Sequence, residues 1–181
     1  MIWGIDLGVR SFYAAGLEHG ELTLISRVIL APKSVRAQSA ADRASELTDL
    51  YQALHDIITL GDTVVVEEPP MAGARNVRTF LKLGQVCGVV IAAASAKGAD
   101  VHLVPVDTWK KEIVGKGGAP KEIVASALSV LSSRYSAQCE GNQNSVDATC
   151  IALFGRTLTG GVGPEYMDAG RASAGQQRRS A

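Results

Sequence analysis

The chain opens Ile2-Trp3-Gly4-Ile5-Asp6-Leu7-Gly8, an apolar run that carries one carboxylate near its end and stops at a glycine. A short apolar run bounded by a turn signal reads as a strand buried in a sheet. A carboxylate on such a platform is costly to leave unpaired, so it needs a metal, a cation or hydrogen-bond donors. The plain alternative for Asp6 is a turn acid capping the bend at Gly8. Three downstream fragments answer the opening strand: Val64-Val65-Val66-Glu67-Glu68, Gly115-Lys116-Gly117-Gly118-Ala119-Pro120-Lys121 and Asn144-Ser145-Val146-Asp147-Ala148. Acids arriving from three well-separated elements point to a metal-centred phosphoryl-transfer site.

Outward from that strand, the first 30 residues read as a three-stranded antiparallel meander. Strands over 2–7, 12–17 and 22–30 are joined by short turns at Gly8-Val9-Arg10-Ser11 and His19-Gly20. A polar connection over 32–39 leads to a helix from Ala40, on which Leu47, Leu50, Tyr51, Leu54, Ile57 and Ile58 recur at helical spacing. A β-branched strand over 63–67 ends at Pro69-Pro70, and a long helix over 76–97 follows. A fifth strand over 101–104 and helices over 108–114, 120–131 and 145–158 complete the order. Strands followed by alternating helices in this order predict an α/β domain of the RNase H-like type: a mixed five-stranded sheet with helices on both faces. The domain is expected over 1–158, with 159–181 a flexible Gly-, Ser- and Arg-bearing tail.

With 181 residues, 46% apolar and 20% charged, the composition is that of one ordinary globular domain. No apolar run is expected to reach the ~20 residues of a membrane span, and no basic leader with a cleavage site is seen. Cys87, Cys139 and Cys150 are odd in number and form no CxxC pair, which argues for reduced thiols in a cytoplasm and against zinc or a disulfide frame. Net charge is zero, so a nucleic-acid partner needs basic residues gathered locally. Arg75, Arg78 and Lys82 form one helical stripe, and Lys110, Lys111, Lys116 and Lys121 a second cluster. Both also read as ordinary solvated faces.

These fragments together resemble the RuvC family of Holliday-junction resolvases over roughly residues 1–153. The carriers are Gly4-Ile5-Asp6-Leu7-Gly8, Val64–Glu67, the helix fragment Leu81-Lys82-Leu83-Gly84-Gln85-Val86-Cys87-Gly88, Val114–Lys121 and Asp147-Ala148. The resemblance implies an endonuclease that cuts branched DNA at four-way junctions by paired nicks as a homodimer, leaving 5′-phosphate ends. Its cofactor would be Mg²⁺, with Mn²⁺ as a substitute and two ions per site. Asp6 would bridge both ions, Glu67 would hold one and Asp147 the other. Alternation along the strand sends Glu67 and Glu68 to opposite faces, and the family pattern selects Glu67.

Asn144, three residues before Asp147 on the same helical face, is either a fourth ligand through its amide oxygen or a plain N-cap. The family commonly has an acid or a histidine there. Lys121 is expected near the scissile phosphate, with Arg75, Arg78, Lys110 and Lys116 on the DNA backbone. The Phe80–Ile91 side of the long helix, with Gly84 and Gly88, is the expected dimer seam. Pro69-Pro70-Met71-Ala72 stands where family members can carry a base-wedging aromatic, which implies a broader choice of forks and flaps. The resemblance leaves a helicase partner open, as it does a bacterial or a phage source. Two other readings are an actin-like ATPase fragment, for which 181 residues leave no second domain, and a catalytically weak DNA-binding protein.

Overall fold

A computed structural model describes residues 1–8, 11–28, 39–69 and 77–160. Five strands form one sheet: β1 (Ile2–Leu7), β2 (Ser11–Glu18), β3 (Glu21–Val28), β4 (Thr63–Glu67) and β5 (Asp100–Val104). Their order is β3-β2-β1-β4-β5, with β1, β4 and β5 parallel and β2 antiparallel to both of its neighbours, β1 and β3. This is the mixed sheet expected from the sequence, and β1 is its centre. The helices are α1 (Ala40–Ile57), α2 (Val77–Ala96), α3 (Val106–Val114), α4 (Lys121–Leu131), α5 (Ser133–Gln138) and α6 (Gln143–Leu158). Two corrections fall on the C-terminal half. α5 was not expected: six residues are too few for an apolar period, and the helix starts on a side-chain cap, Ser132 accepting from the Tyr135 amide. α6 starts two residues earlier than expected, capped by Asn142 and not by Asn144.

The two faces of the sheet bury separate cores, and strand alternation sorts residues between them. Trp3, Ile5, Phe12, Ala14, Val64 and Val66 pack under α1 and α2. Ala15, Leu17 and Val65 pack on the other face with Trp109, Val124, Leu128 and α6. Parity therefore assigns Gly4 and Asp6 of β1, Tyr13 of β2 and Glu67 of β4 to the α6 face. α6 has no polar side: every residue from Val146 to Gly155 is buried, because it is covered both by the sheet and by α3 and α4. Gly4 is what lets it lie so close, since a Cβ there would overlap the Ala152 nitrogen and the Ala148 carbonyl oxygen.

α2 corrects a further expectation, that no apolar run reaches the length of a membrane span. Its 20 residues are long and apolar enough to cross a membrane by length and composition alone. Here it lies beside α1 and the sheet, burying Val86, Cys87, Val90, Ala93 and Ala94. Gly84 and Gly88 lie on the other side, with open space where a Cβ would be, in line with the exposed Val77 and Leu81. The expected seam is thus divided: Val86, Cys87 and Val90 face the core, and the glycines face outward.

Candidate active site

Because β1 and β4 run parallel, Asp6 and Glu67 come to the same end of the sheet, where both strands finish. α6 runs back along β1 in the opposite sense, so its N-terminal part carries Asn144 and Asp147 to that end. These residues line one cleft of about 300 Å³, together with Leu7, Gly8, Ser11, Tyr13, Val106, Trp109, Lys110 and Lys121. Glu68, one residue beyond the strand, is exposed and is not part of the lining.

The electrostatics of the cleft are dominated by like charge in a dry place. Burial, followed by repulsion from Glu67 and then Asp147, pushes the Asp6 carboxyl up to about 7, against the pull of Lys121. Burial also raises Glu67, with Asp147 adding to it, although the Trp109 indole and the ammonium groups of Lys110 and Lys121 oppose the shift. Asp147 is raised by burial too, opposed by a Gln143 hydrogen bond and both lysines. Three carboxylates that repel one another describe a site that gains by taking up positive charge.

Two of them are tied down by neutral donors. The Trp109 Nε1–H donates to Glu67 Oε2 at 2.9 Å, and Gln143 Nε2–H donates to Asp147 Oδ1 at 2.8 Å. Asn142 accepts from the Asn144 and Ser145 backbone amides with its side-chain Oδ1, which caps α6. Tyr13 stands opposite Asp6 in the β-sheet register. The side-chain amides of Asn142 and Asn144 hold its pKa below the usual phenol value.

Among the basic residues, Lys121 lines the cleft from the first turn of α4. A cation there opposes the helix dipole, an unfavourable placement offset by the three carboxylates it faces. Lys110 also lines the cleft, but its ammonium donates to the Ala119 carbonyl at 3.1 Å and sits 5.5 Å over the Trp109 ring. Lys116 is exposed and stands outside the lining, as does Arg78 at the start of α2. Arg75, Met71 and residues 161–181 lie outside the described residues. Gly115 has a structural use: at φ +85° it ends α3 in the left-handed conformation.

Sequence reading missed Trp109, Tyr13 and Gln143. Tyr13 was legible in principle, since a hairpin that pairs Leu7 with Phe12 must pair Asp6 with Tyr13. Trp109 gave no such signal: its partner is 42 residues away.

The donor set is hard oxygen throughout, the chemistry of Mg²⁺ or Mn²⁺ and not of zinc. Among the described residues, no three His, Cys, Asp or Glu side chains are close enough to form a ready cage. Mg²⁺ does not ask for one, because it keeps several waters and takes one or two carboxylates alongside substrate phosphate. The residues present fit such an ion.

Sheet order, helix layering and a carboxylate cleft at the ends of the central strands define an RNase H-like protein. The family model for crossover junction endodeoxyribonuclease RuvC matches residues 2–154. The chain belongs to the RuvC family, whose members are metal-dependent in general. It is 41% identical over 107 residues to the RuvC endonuclease of Nitratidesulfovibrio vulgaris strain DP4, covering 58% of this chain and 60% of that one. It is 34% identical over 134 residues to the Trichlorobacter lovleyi enzyme, covering 72% of this chain and 71% of that one. The chain thus aligns with about 60% of the length of the first of these relatives. Among solved structures, Thermus thermophilus RuvC in complex with a Holliday junction substrate superimposes with a TM-score of 0.58 at 21% identity, covering 84% of this chain and 90% of that one. The yeast mitochondrial Holliday junction resolvase gives 0.55 at 13% identity, over 85% and 76%.

Proposed function

We propose that this protein is an endodeoxyribonuclease that resolves four-way DNA junctions by paired nicks, acting in the cytoplasm of a bacterium or an infected host. The observation that carries this reading is the convergence of Asp6, Glu67 and Asp147 on one cleft that also holds Lys121. Asp6, on the central strand, would be the ligand shared by two Mg²⁺ or Mn²⁺ ions. Glu67 and Asp147 would each hold one of them, and Asn144 would add a neutral carbonyl oxygen beside Asp147. The bound ions supply an activated water and neutralise charge on the phosphate and the leaving oxygen. Lys121 holds the scissile phosphate and meets the charge that builds on it in the transition state. Water oxygen bonds to phosphorus, the P–O3′ bond breaks, and the proton passes to O3′, leaving a 5′-phosphate.

Lys110, Lys116, Arg78 and Arg75 contribute backbone contacts. A junction offers two symmetry-related phosphates, so a two-fold homodimer matches it. The outward stripe of α2, with Val77, Leu81, Gly84 and Gly88, is its seam.

The test is cleavage of a labelled mobile four-way junction with Mg²⁺, Mn²⁺ or EDTA, beside a replication fork and plain duplex. Symmetric, metal-dependent nicks in the junction alone establish a resolvase. Equal cutting of the fork makes the protein a general branched-DNA nuclease, the reading that Pro69-Pro70-Met71-Ala72 favours by lacking an aromatic wedge. Junction binding without any cutting, in either metal, reduces the site to a binding surface.

A further inference from the structure

The three carboxylates of the cleft are not held alike. Glu67 has one oxygen, Oε2, engaged by the indole N–H of Trp109. Asp147 has one oxygen, Oδ1, engaged by the amide N–H of Gln143. Among the described residues no side-chain hydrogen bond is made to the Asp6 carboxylate, so neither of its oxygens is engaged as those of Glu67 and Asp147 are. Resting on the metal-site reading above, we infer that Trp109 and Gln143 are positioning residues: each occupies one oxygen of a flanking carboxylate, so that Glu67 and Asp147 bind monodentately while Asp6 alone can bridge.

Three features support this division of labour. Both donors are neutral, so they fix orientation without supplying the positive charge that would displace a cation; a lysine or arginine in either place would compete with the ion. They also come from different elements, Trp109 from α3 and Gln143 from α6, yet act on the two acids that flank Asp6. Finally, each donor is itself fixed. Trp109 is fully buried in the core beside α6, with its ring under the Lys110 ammonium. Gln143 is the first residue of α6, directly after the Asn142 cap, four residues before Asp147 and therefore on the same face. Partners of this kind, which orient a ligand through its second atom, typically change metal affinity about 10- to 100-fold when removed.

A merely structural role is the alternative to exclude. A buried indole seeks an acceptor in any case, and an i, i+4 pair steadies a helix. The experiment therefore reads metal binding without DNA. The full chain and its Gln143→Met, Trp109→Phe and Asp6→Asn variants are titrated with Mn²⁺ by calorimetry, and each is melted in EDTA. Gln143→Met is expected to weaken Mn²⁺ binding by roughly 10-fold or more, to leave the metal-free melting temperature unchanged, and to lower kcat with junction affinity in EDTA intact. Trp109→Phe should do the same where it folds; where it does not, Gln143→Met decides.

Mn²⁺ affinity within twofold of the parent in Gln143→Met, while Asp6→Asn abolishes binding, overturns the positioning role and leaves the metal site standing. Unchanged Mn²⁺ binding in Asp6→Asn overturns both.

Discussion

Two aspartates at opposite ends of the sheet, Asp62 buried and Asp6 half-buried, have opposite fates. Asp62, just before β4, receives hydrogen bonds from the Met1 α-amino group, the Trp3 indole and the Thr59 amide. Burial works against its charge, but those donors more than offset it, and its pKa lies below the usual carboxylate value. Asp6, at the far end of β1, is also largely removed from water, yet it faces two other acids and rises to about 7. Asp62 is thus given three donors that answer both of its oxygens, whereas among the described residues the Asp6 carboxylate is given none. A carboxylate satisfied on both oxygens has no need of a cation, whereas one left among like charges gains by taking one up.

The strongest challenge to this contrast is Asp6→Asn. Cleavage of a junction in Mg²⁺ should become undetectable, with junction binding retained and the metal-free protein no less stable than the parent. A cutting rate within a factor of two of the parent removes Asp6 from the site. Next in size is Lys121→Met, which takes away the cation that Asp6 and both of its neighbours feel. A loss of on the order of 10²–10³ in kcat is expected, as for other groups that stabilise transition-state charge, and single-turnover rates on a labelled junction measure it.

Asp62→Asn should do the reverse of Asp6→Asn. It disrupts a satisfied buried network and destabilises the fold by about 1–3 kcal/mol, read by urea unfolding, while the folded fraction cuts normally. A Glu67→Gln and Glu68→Gln pair sharpens the comparison further, since only the first side chain lines the cleft; activity lost in both variants would contradict the strand parity.

The last contrast is in the pH dependence of metal-free stability. A raised native pKa means that Asp6 keeps its proton over a range in which the unfolded chain has released it. Its contribution is therefore absent below pH ~3.8, grows more unfavourable as pH rises toward about 7, and is constant above. Asp62 acts in the opposite direction: its stabilisation is present above the usual carboxylate range and fades as pH falls through its lowered native pKa. Melting curves in EDTA from pH 2 to 8 should thus flatten in Asp6→Asn between pH ~4 and 7 and lose the slope below pH ~4 in Asp62→Asn.

The sheet was legible because its strands are apolar runs ended by glycine, proline or an acid; the 63–67 strand was read with its true bounds. Asp6, Glu67 and Asp147 could be named from sequence because each stands at a strand end or a helix start, where motifs are short and local. Their supports could not. The Trp109 bond to Glu67 depends on how α3 packs against β4, and nothing in the run Asp107-Thr108-Trp109-Lys110 encodes it. α5 escaped because its one cap and six residues leave no period to detect. The α2 seam was read as one apolar side, whereas the helix has two, one turned to the core and one to open space.

The glycine under α6 has a consequence for anyone reading genetic data on this chain. Gly4 stands two residues before Asp6, and the helix backbone pressed against it includes Ala148, the neighbour of Asp147. Adding one methyl group there would lift α6 off β1 and change the separation of two acids that the methyl never touches. Gly4→Ala would then score as a loss of chemistry in a screen, although the position has no functional group at all. The spacing of the acids is set by the thickness of a bare backbone, and that contact works as a gauge block between them.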